Sequence, residues 1–239
     1  MKILSLGLDN SILNKSSTLA ERAVKYGNLV EKYDIIVPGP KAEKISLSEK
    51  VKVYGSDGRG KLARFFKILE IGKKLWREEK YDIITVQDQY YLALVGLKLA
   101  RKFKVGLEIQ VHGFEKFYGL RKLIARYVLP RAEVVRCVSQ RLEKQLISQF
   151  GVPEEKILIV PIYAPRATHY APRATRQGKN FIFLTVGRLA SVKNIELQIR
   201  ALAAVVKKFP QTKLWIVGDG AQRKKLEKLC KELRVTRYE

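Results

Sequence analysis

Short apolar runs alternate along the chain with segments whose apolar positions recur every three or four residues. Lys2–Leu8 is the first such run and predicts a strand, followed by a polar loop through Asp9, Asn10 and Ser11. Ser16 or Ser17 then caps a predicted helix that continues to about Val30. Asp34–Val37, closed by Pro38-Gly39-Pro40, and Val51–Tyr54, closed by Gly55-Ser56-Asp57-Gly58, read as short buried strands. Leu62, Phe65, Phe66, Leu69, Leu75 and Trp76 recur at helical spacing, so Lys61–Lys80 is predicted as a long amphipathic helix. A strand at Asp82–Val86, a helix at Tyr90–Lys102 and a strand at Val105–Val111 follow, the last ending on His112-Gly113. Leu120–Leu129 reads as a helix and Val134–Val138 as a strand; Ser139 then caps a helix to Phe150, before a strand at Ile157–Val160. Strands separated by helices pair in parallel through crossovers. The expected class is therefore α/β, with helices on both faces of a parallel sheet.

The texture changes after Pro161. Tyr163–His169 is repeated as Tyr170–Arg176 with a difference only in the last residue, and each copy carries a proline and no apolar periodicity. Residues 163–179 are read as an extended linker with a duplicated spacer, between an N-terminal domain at 1–162 and a second at 180–239. In the second, Asn180–Val186 is a strand, Leu189–Val192 a turn, and Lys193 opens a helix with an apolar stripe at Ile195, Ile199, Leu202, Val206 and Phe209. Lys213–Val217 is the next strand, followed by Gly218-Asp219-Gly220 and a helix with Leu226, Leu229 and Leu233. Two βα units fall short of a doubly wound domain, so the sequence is expected to be a C-terminally truncated copy of something longer.

Composition narrows the class. With 46% hydrophobic residues the chain is not a disordered basic tail, and no run approaches the roughly 20 apolar residues of a membrane span. Cys137 and Cys230 lack metal-type spacing; reduced buried thiols, and hence a cytoplasmic protein, are expected. Lys plus Arg number 47 against 23 Asp plus Glu, a formal charge of +24. From Lys156 to Ile195 there are Lys and Arg residues but no acid. Such a field suits nucleic acid, an anionic membrane or phosphorylated small molecules, and equally an ordinary solvated surface.

The candidate chemistry sits where strands end. Gly187 lets the backbone turn at a strand's C-terminal edge, where ligands of open α/β sheets bind. Arg188 and Lys193 bracket the start of the following helix; a guanidinium fork, an ammonium and free helix N–H groups together suit a diphosphate. His112 is a polar ring at a strand end, and hydrogen bonding to backbone would explain it as well as chemistry would. Asp219 reads as a capping or solvent residue.

These residues resemble a known family. Phe183–Leu189 with Lys193, then Lys213–Gly220, look like the second domain of glycosyltransferase family 4. In the first domain, Val111-His112-Gly113-Phe114-Glu115, Val138-Ser139 with Leu142, and Val152-Pro153 through Pro161 are similar to its other motifs. The resemblance implies GT-B architecture, in which two Rossmann-like domains flank a cleft. It also implies retaining transfer from a nucleotide-diphosphate sugar to a glycan or lipid-linked acceptor, without a metal or other cofactor. By the same resemblance Gly187, Arg188 and Lys193 would hold the donor diphosphate, His112 would stand near the transferred sugar, and Gly7, Gly218 and Gly220 would line the cleft.

Two departures stand out. The loop after the first strand, Gly7-Leu8-Asp9-Asn10-Ser11, lacks the family's glycine pair, and no segment matches the E-x7-E region that binds the donor's ribose and sugar. Lys61–Lys80 and Arg121–Arg131 mix apolar residues with cations; that pattern fits peripheral contact with an anionic membrane or ordinary core packing with solvated lysines. The competing function, a non-enzymatic polyanion binder, lacks an RNP aromatic pair, zinc spacing or a helix-turn-helix unit, so no specific nucleic-acid partner is expected.

Overall fold

The computed structural model describes residues 1–58, 60–113, 119–161 and 181–233. Two compact units divide between Ala164 and Pro165. The stretch read as a linker, residues 163–179, lies outside the described residues, as do Phe114 and Glu115.

The first unit is built on one eight-stranded sheet. Its strands are β1 (Lys2–Leu6), β2 (Lys32–Pro38), β3 (Glu43–Ser46), β4 (Val51–Ser56), β5 (Ile83–Val86), β6 (Gly106–Val111), β7 (Val134–Cys137) and β8 (Ile157–Ile159). Its helices are α1 (Thr18–Gly27), α2 (Lys61–Glu78), α3 (Tyr91–Phe103), α4 (Leu120–Val128) and α5 (Gln140–Phe150). The strand order is β3-β4-β2-β1-β5-β6-β7-β8, parallel except for β3. That edge strand, Glu43–Ser46, was not foreseen: its alternating Glu, Lys, Ile and Ser lack the apolar run that marks the central strands.

Period-two alternation separates the two faces of the sheet. On β2, Ile36 packs with Leu4, Leu6, Ile84, Val86 and Ile109 into the larger core, together with residues of α2 to α5. Its neighbours Ile35 and Val37 face the other way, against Ala20 and Ala23 of α1. Helices thus cover both faces, α1 on one and α2 to α5 on the other. Ser17 caps α1 by accepting from the Ala20 N–H, and Ser139 caps α5 by accepting from Leu142, as the sequence indicates.

The second unit contains β9 (Ile182–Val186), α6 (Ile195–Val205), β10 (Lys213–Val217) and α7 (Arg223–Glu232). β9 and β10 pair in parallel, and Leu189, Ile195, Ile199, Leu226, Leu229 and Cys230 form its core. The expected apolar stripe of α6 holds for Ile195, Ile199 and Leu202, but Phe209 is exposed because the helix ends at Val205. Both cysteines are free and buried.

Candidate functional site: the strand-end loops

Every parallel strand of the first unit delivers its C-terminal end to one edge of the sheet. Along that edge the order of strands reverses between β1 and β5: the chain moves from β1 to β2 on one side and later crosses to β5 on the other. Such switch points open a crevice. Gly7 stands there. Its N–H donates to the Ile36 carbonyl (3.0 Å), while the Gln87 N–H donates to the Leu6 carbonyl (2.9 Å), so the loops after β1 and β5 part from a shared hydrogen-bonded base. Gly7 lines a small recess with Asp9, Arg22, Tyr33 and Gln87. A Cβ at Gly7 would meet Val37 at 3.6 Å and Gln87 at 3.9 Å, ordinary contacts, so packing does not by itself require glycine.

His112 follows β6, one strand further along the same edge. It is exposed, and no described residue hydrogen-bonds its ring; the backbone-bonded alternative from the sequence therefore has no partner among the described residues. Enough protein surrounds it that desolvation, aided by the charge of Arg136, lowers its pKa and favours the neutral ring. Beside it, the Gln89 amide donates to the Gly113 carbonyl (3.2 Å). Asp88 is buried and accepts from the Tyr90 and Leu92 N–H groups (both 3.0 Å), capping α3; burial raises its pKa against those bonds. Gln87, Asp88 and Gln89 were missed by reading the sequence, although a polar run directly after a strand was the available signal.

In the second unit two strand-end loops run backbone to backbone. The Gly187 N–H donates to Val217 O (2.9 Å), the Leu189 N–H to Asp219 O (2.9 Å), and the Gln222 N–H to Leu189 O (3.0 Å). Parallel pairing thus continues past the ends of β9 and β10, with Arg188 between two pinned residues. The glycines make this approach possible. A Cβ on Gly218 would lie 2.0 Å from Gly187 O, and one on Gly220 would lie 2.6 Å from Leu189 O.

Lys193 does not open the helix, contrary to the expectation. It ends a 3₁₀ turn, Ser191–Lys193; Asn194 then takes a left-handed conformation (φ 47°), and α6 begins at Ile195. Asparagine tolerates that conformation, and the kink it introduces delays the helix. Arg188 and Lys193 are both exposed, and neither forms an ion pair or hydrogen bond through its side chain with any described residue. The nearby carboxylates are occupied elsewhere. Glu196 is held by Lys225 (2.7 Å) and Arg200 (2.9 Å), which lower its pKa, and Asp219 lies 3.8 Å from Arg223. Asp219 does not cap α7, whose N-cap is Gln222. Two uncommitted cations beside a rigid glycine loop can receive an anion without first breaking an internal ion pair.

A model of Glycosyltransferase Family 4 matches residues 19–162, and one of Glycosyl transferases group 1 matches residues 169–237. The chain belongs to glycosyltransferase family 4. Among family relatives, the O-antigen biosynthesis glycosyltransferase WbnH of Escherichia coli is 33% identical over 127 residues, 51% of this chain and 35% of that protein. The alpha-monoglucosyldiacylglycerol synthase of Streptococcus pneumoniae is 26% identical over 195 residues, 72% of this chain and 43% of that one. The chain thus spans less than half the length of these two relatives. Anabaena HepE, solved in complex with UDP and glucose, aligns with a TM-score of 0.70 at 18% identity, covering 100% of this chain and 68% of its own. The catalytic domain of Arabidopsis thaliana starch synthase IV, bound to ADP and acarbose, aligns at 0.66 and 11% identity, covering 98% and 72%. The fold class is that of the GT-B glycosyltransferases, as expected from the sequence.

Proposed function

We propose that this chain carries the donor-diphosphate and acceptor-side elements of a glycosyltransferase. Its reaction would move a sugar from a nucleotide-diphosphate sugar to a glycan or lipid-linked acceptor with retention of configuration. The observation that carries the reading is the pair Arg188 and Lys193, exposed and without a side-chain partner among the described residues, on a glycine-zipped strand end of a family 4 chain. In the reaction, the bond between the anomeric carbon and the diphosphate oxygen breaks, the acceptor hydroxyl oxygen bonds to that carbon, and the hydroxyl proton passes to the departing diphosphate oxygen. The departing diphosphate gains charge, and a preorganised guanidinium and ammonium lower the barrier by meeting it. No metal or other cofactor is assigned a part. His112, at the strand end of the acceptor-side unit with its pKa lowered by desolvation and Arg136, is assigned to the sugar being transferred. The relatives' names, O-antigen biosynthesis and monoglucosyldiacylglycerol synthesis, support a glycan or lipid acceptor. A cytoplasmic location with peripheral contact to an anionic membrane is part of the same proposal, on the strength of the chain's excess of Lys and Arg.

Calorimetric titration with UDP-glucose, and with the ADP and GDP analogues, tests the donor half of the reading. Saturable one-site binding that weakens about tenfold or more in Arg188→Ala and Lys193→Ala, but not in Lys207→Ala, is expected for a diphosphate clamp. Equal affinity in all three variants would place the diphosphate elsewhere.

A further inference from the structure

In two places the protein brings a pair of cations together with a carboxylate between them. Glu79 accepts from Lys2 (2.6 Å) and Lys32 (2.8 Å), and Glu196 accepts from Arg200 (2.9 Å) and Lys225 (2.7 Å). A third convergence has no such bridge. Arg101, near the end of α3, and Arg131, just past α4, both lie over the ring of Tyr127, their guanidinium carbons 6.0 Å and 4.2 Å from its centroid. The two charges therefore stand within about 10 Å of each other, one screening length at moderate salt. Neither arginine forms an ion pair with any described residue. Cations near helix C-termini complement the helix dipole, which accounts for one at each helix end but not for two meeting on one ring.

The pair is held in place. Arg101 Nη1 donates to the Tyr127 hydroxyl oxygen (3.2 Å), and Arg131 Nη1 donates to the Tyr127 carbonyl (2.8 Å). Lys156 donates to the carbonyls of Pro130 (3.2 Å) and Ala132 (3.0 Å), which pins the segment carrying Arg131. A guanidinium has five N–H groups, so most of these donors are left over. Both arginines stand on the rim of a recess of about 400 Å³ with Leu97, Ala100 and Leu107 on its floor. Lys104, which caps α3 in a left-handed conformation (φ 55°), adds a third cation to the rim. Glu133 also lines the recess, but pairs with none of the three. Gly106 opens β6 and Glu133 precedes β7, so the recess lies at the N-terminal edge of the sheet, opposite the edge that carries Gly7 and His112.

We propose that Arg101, Arg131 and Lys104 form a binding site for the phosphate dianion of a soluble phosphomonoester, whose body rests on the apolar floor. The phosphate takes the place that Glu79 and Glu196 hold at the other two convergences. Its three terminal oxygens can accept from both guanidinium forks at once. The site is separate from Arg188 and Lys193, goes beyond the transfer reading and does not depend on it.

The test is a titration of the 239-residue chain with inorganic phosphate and with phenyl phosphate at constant ionic strength, followed by NMR of the arginine Nε–H groups. Saturable shifts of the Arg101 and Arg131 signals are expected near pH 7. Affinity should fall about tenfold near pH 5, where the phosphate has lost its second charge. Phenyl phosphate should bind about tenfold more tightly than inorganic phosphate, because its ring covers the floor; equal affinity would overturn the assignment to an ester. Arg101→Gln and, separately, Arg131→Gln should each weaken binding about tenfold or more, read from the arginine that remains. Glu133→Gln should tighten it about twofold, since a like charge leaves the rim. Arg188→Ala with Lys193→Ala, on the other unit, should leave these shifts within about twofold. All the substituted residues are exposed, and thermal melts check that each variant folds. Shifts that do not saturate, that ignore both glutamine variants, or that vanish in the Arg188 and Lys193 pair overturn the proposal. None of these readouts measures sugar transfer, so failure here leaves the diphosphate reading to its own titration.

Discussion

Gly218 has no room for a side chain because Gly187 stands against it: a Cβ built on Gly218 would lie 2.0 Å from the Gly187 carbonyl oxygen. The two residues end neighbouring strands, and the hydrogen bond from Gly187 N–H to Val217 O locks the separation. A methyl group at position 218 must push apart the two loops that hold Arg188.

Gly218→Ala should destabilise the second unit by roughly 1–3 kcal/mol, the scale of forced backbone strain. Gly187→Ala carries the strain of its own positive φ (158°) but should cost less, because nothing lies within 4 Å of a Cβ built there. Amide hydrogen exchange at Gly187 and Leu189 distinguishes the two: both amides should lose protection in Gly218→Ala. Unchanged protection would mean that the loops do not constrain one another.

In a chain extended to the length of its relatives, Arg188→Ala and Lys193→Ala should each slow turnover by roughly 10²–10³, the scale for losing one preorganised charge-stabilising group. Arg188→Lys should also be poor, since an ammonium cannot reproduce a bidentate fork. Lys207→Ala and Lys208→Ala, on screened surface positions, should stay within about a few-fold. Initial rates at saturating donor decide it; if the first two variants track the last two, Arg188 and Lys193 are not the clamp.

Asn194 joins a 3₁₀ turn to α6 at φ 47°. Asn194→Gly should preserve the junction, while Asn194→Val should cost roughly 1–2 kcal/mol, because a β-branched side chain clashes with the backbone in the left-handed region. Denaturant midpoints of the two variants against the unmodified chain supply the comparison. A valine as stable as glycine would contradict the assigned geometry.

Desolvation and Arg136 lower the pKa of His112. Arg136→Gln should therefore raise it, as followed by the NMR shift of the imidazole Cε1–H against pH. The sign for stability follows. With the folded value below the unfolded one near ~6.5, the unfolded chain takes up the proton first, so stability falls as pH drops through about that value. His112→Gln should flatten that part of the curve. A pKa unmoved by Arg136→Gln would leave desolvation as the sole cause.

Much of the fold was legible because its signals are local. The alternation of apolar runs with helical periodicity located the central strands, and Ser17 and Ser139 announced helix starts that the hydrogen bonds at Ala20 and Leu142 display. The candidate residues His112, Gly187 and Arg188 were legible in the same way as strand-end positions, because glycine and polar residues interrupt an apolar run there. The edge strand Glu43–Ser46 was not, since an edge needs no apolar run and takes its hydrogen bonds from β4 alone.

Residue order by itself determined the α/β class, the starts of α1 and α5, and Arg188 and Lys193 as candidate cations, since each depends on composition within a few neighbouring residues. Only the tertiary structure decided which pairs meet. The approach of Gly218 to Gly187 and the switch point that sets Gly7 beside Gln87 arise from backbones separated by many residues. The same packing sent Leu69 inward and Phe66 outward, although both belong to one apolar set in the sequence, because the sheet and α3 cover only one side of the helix.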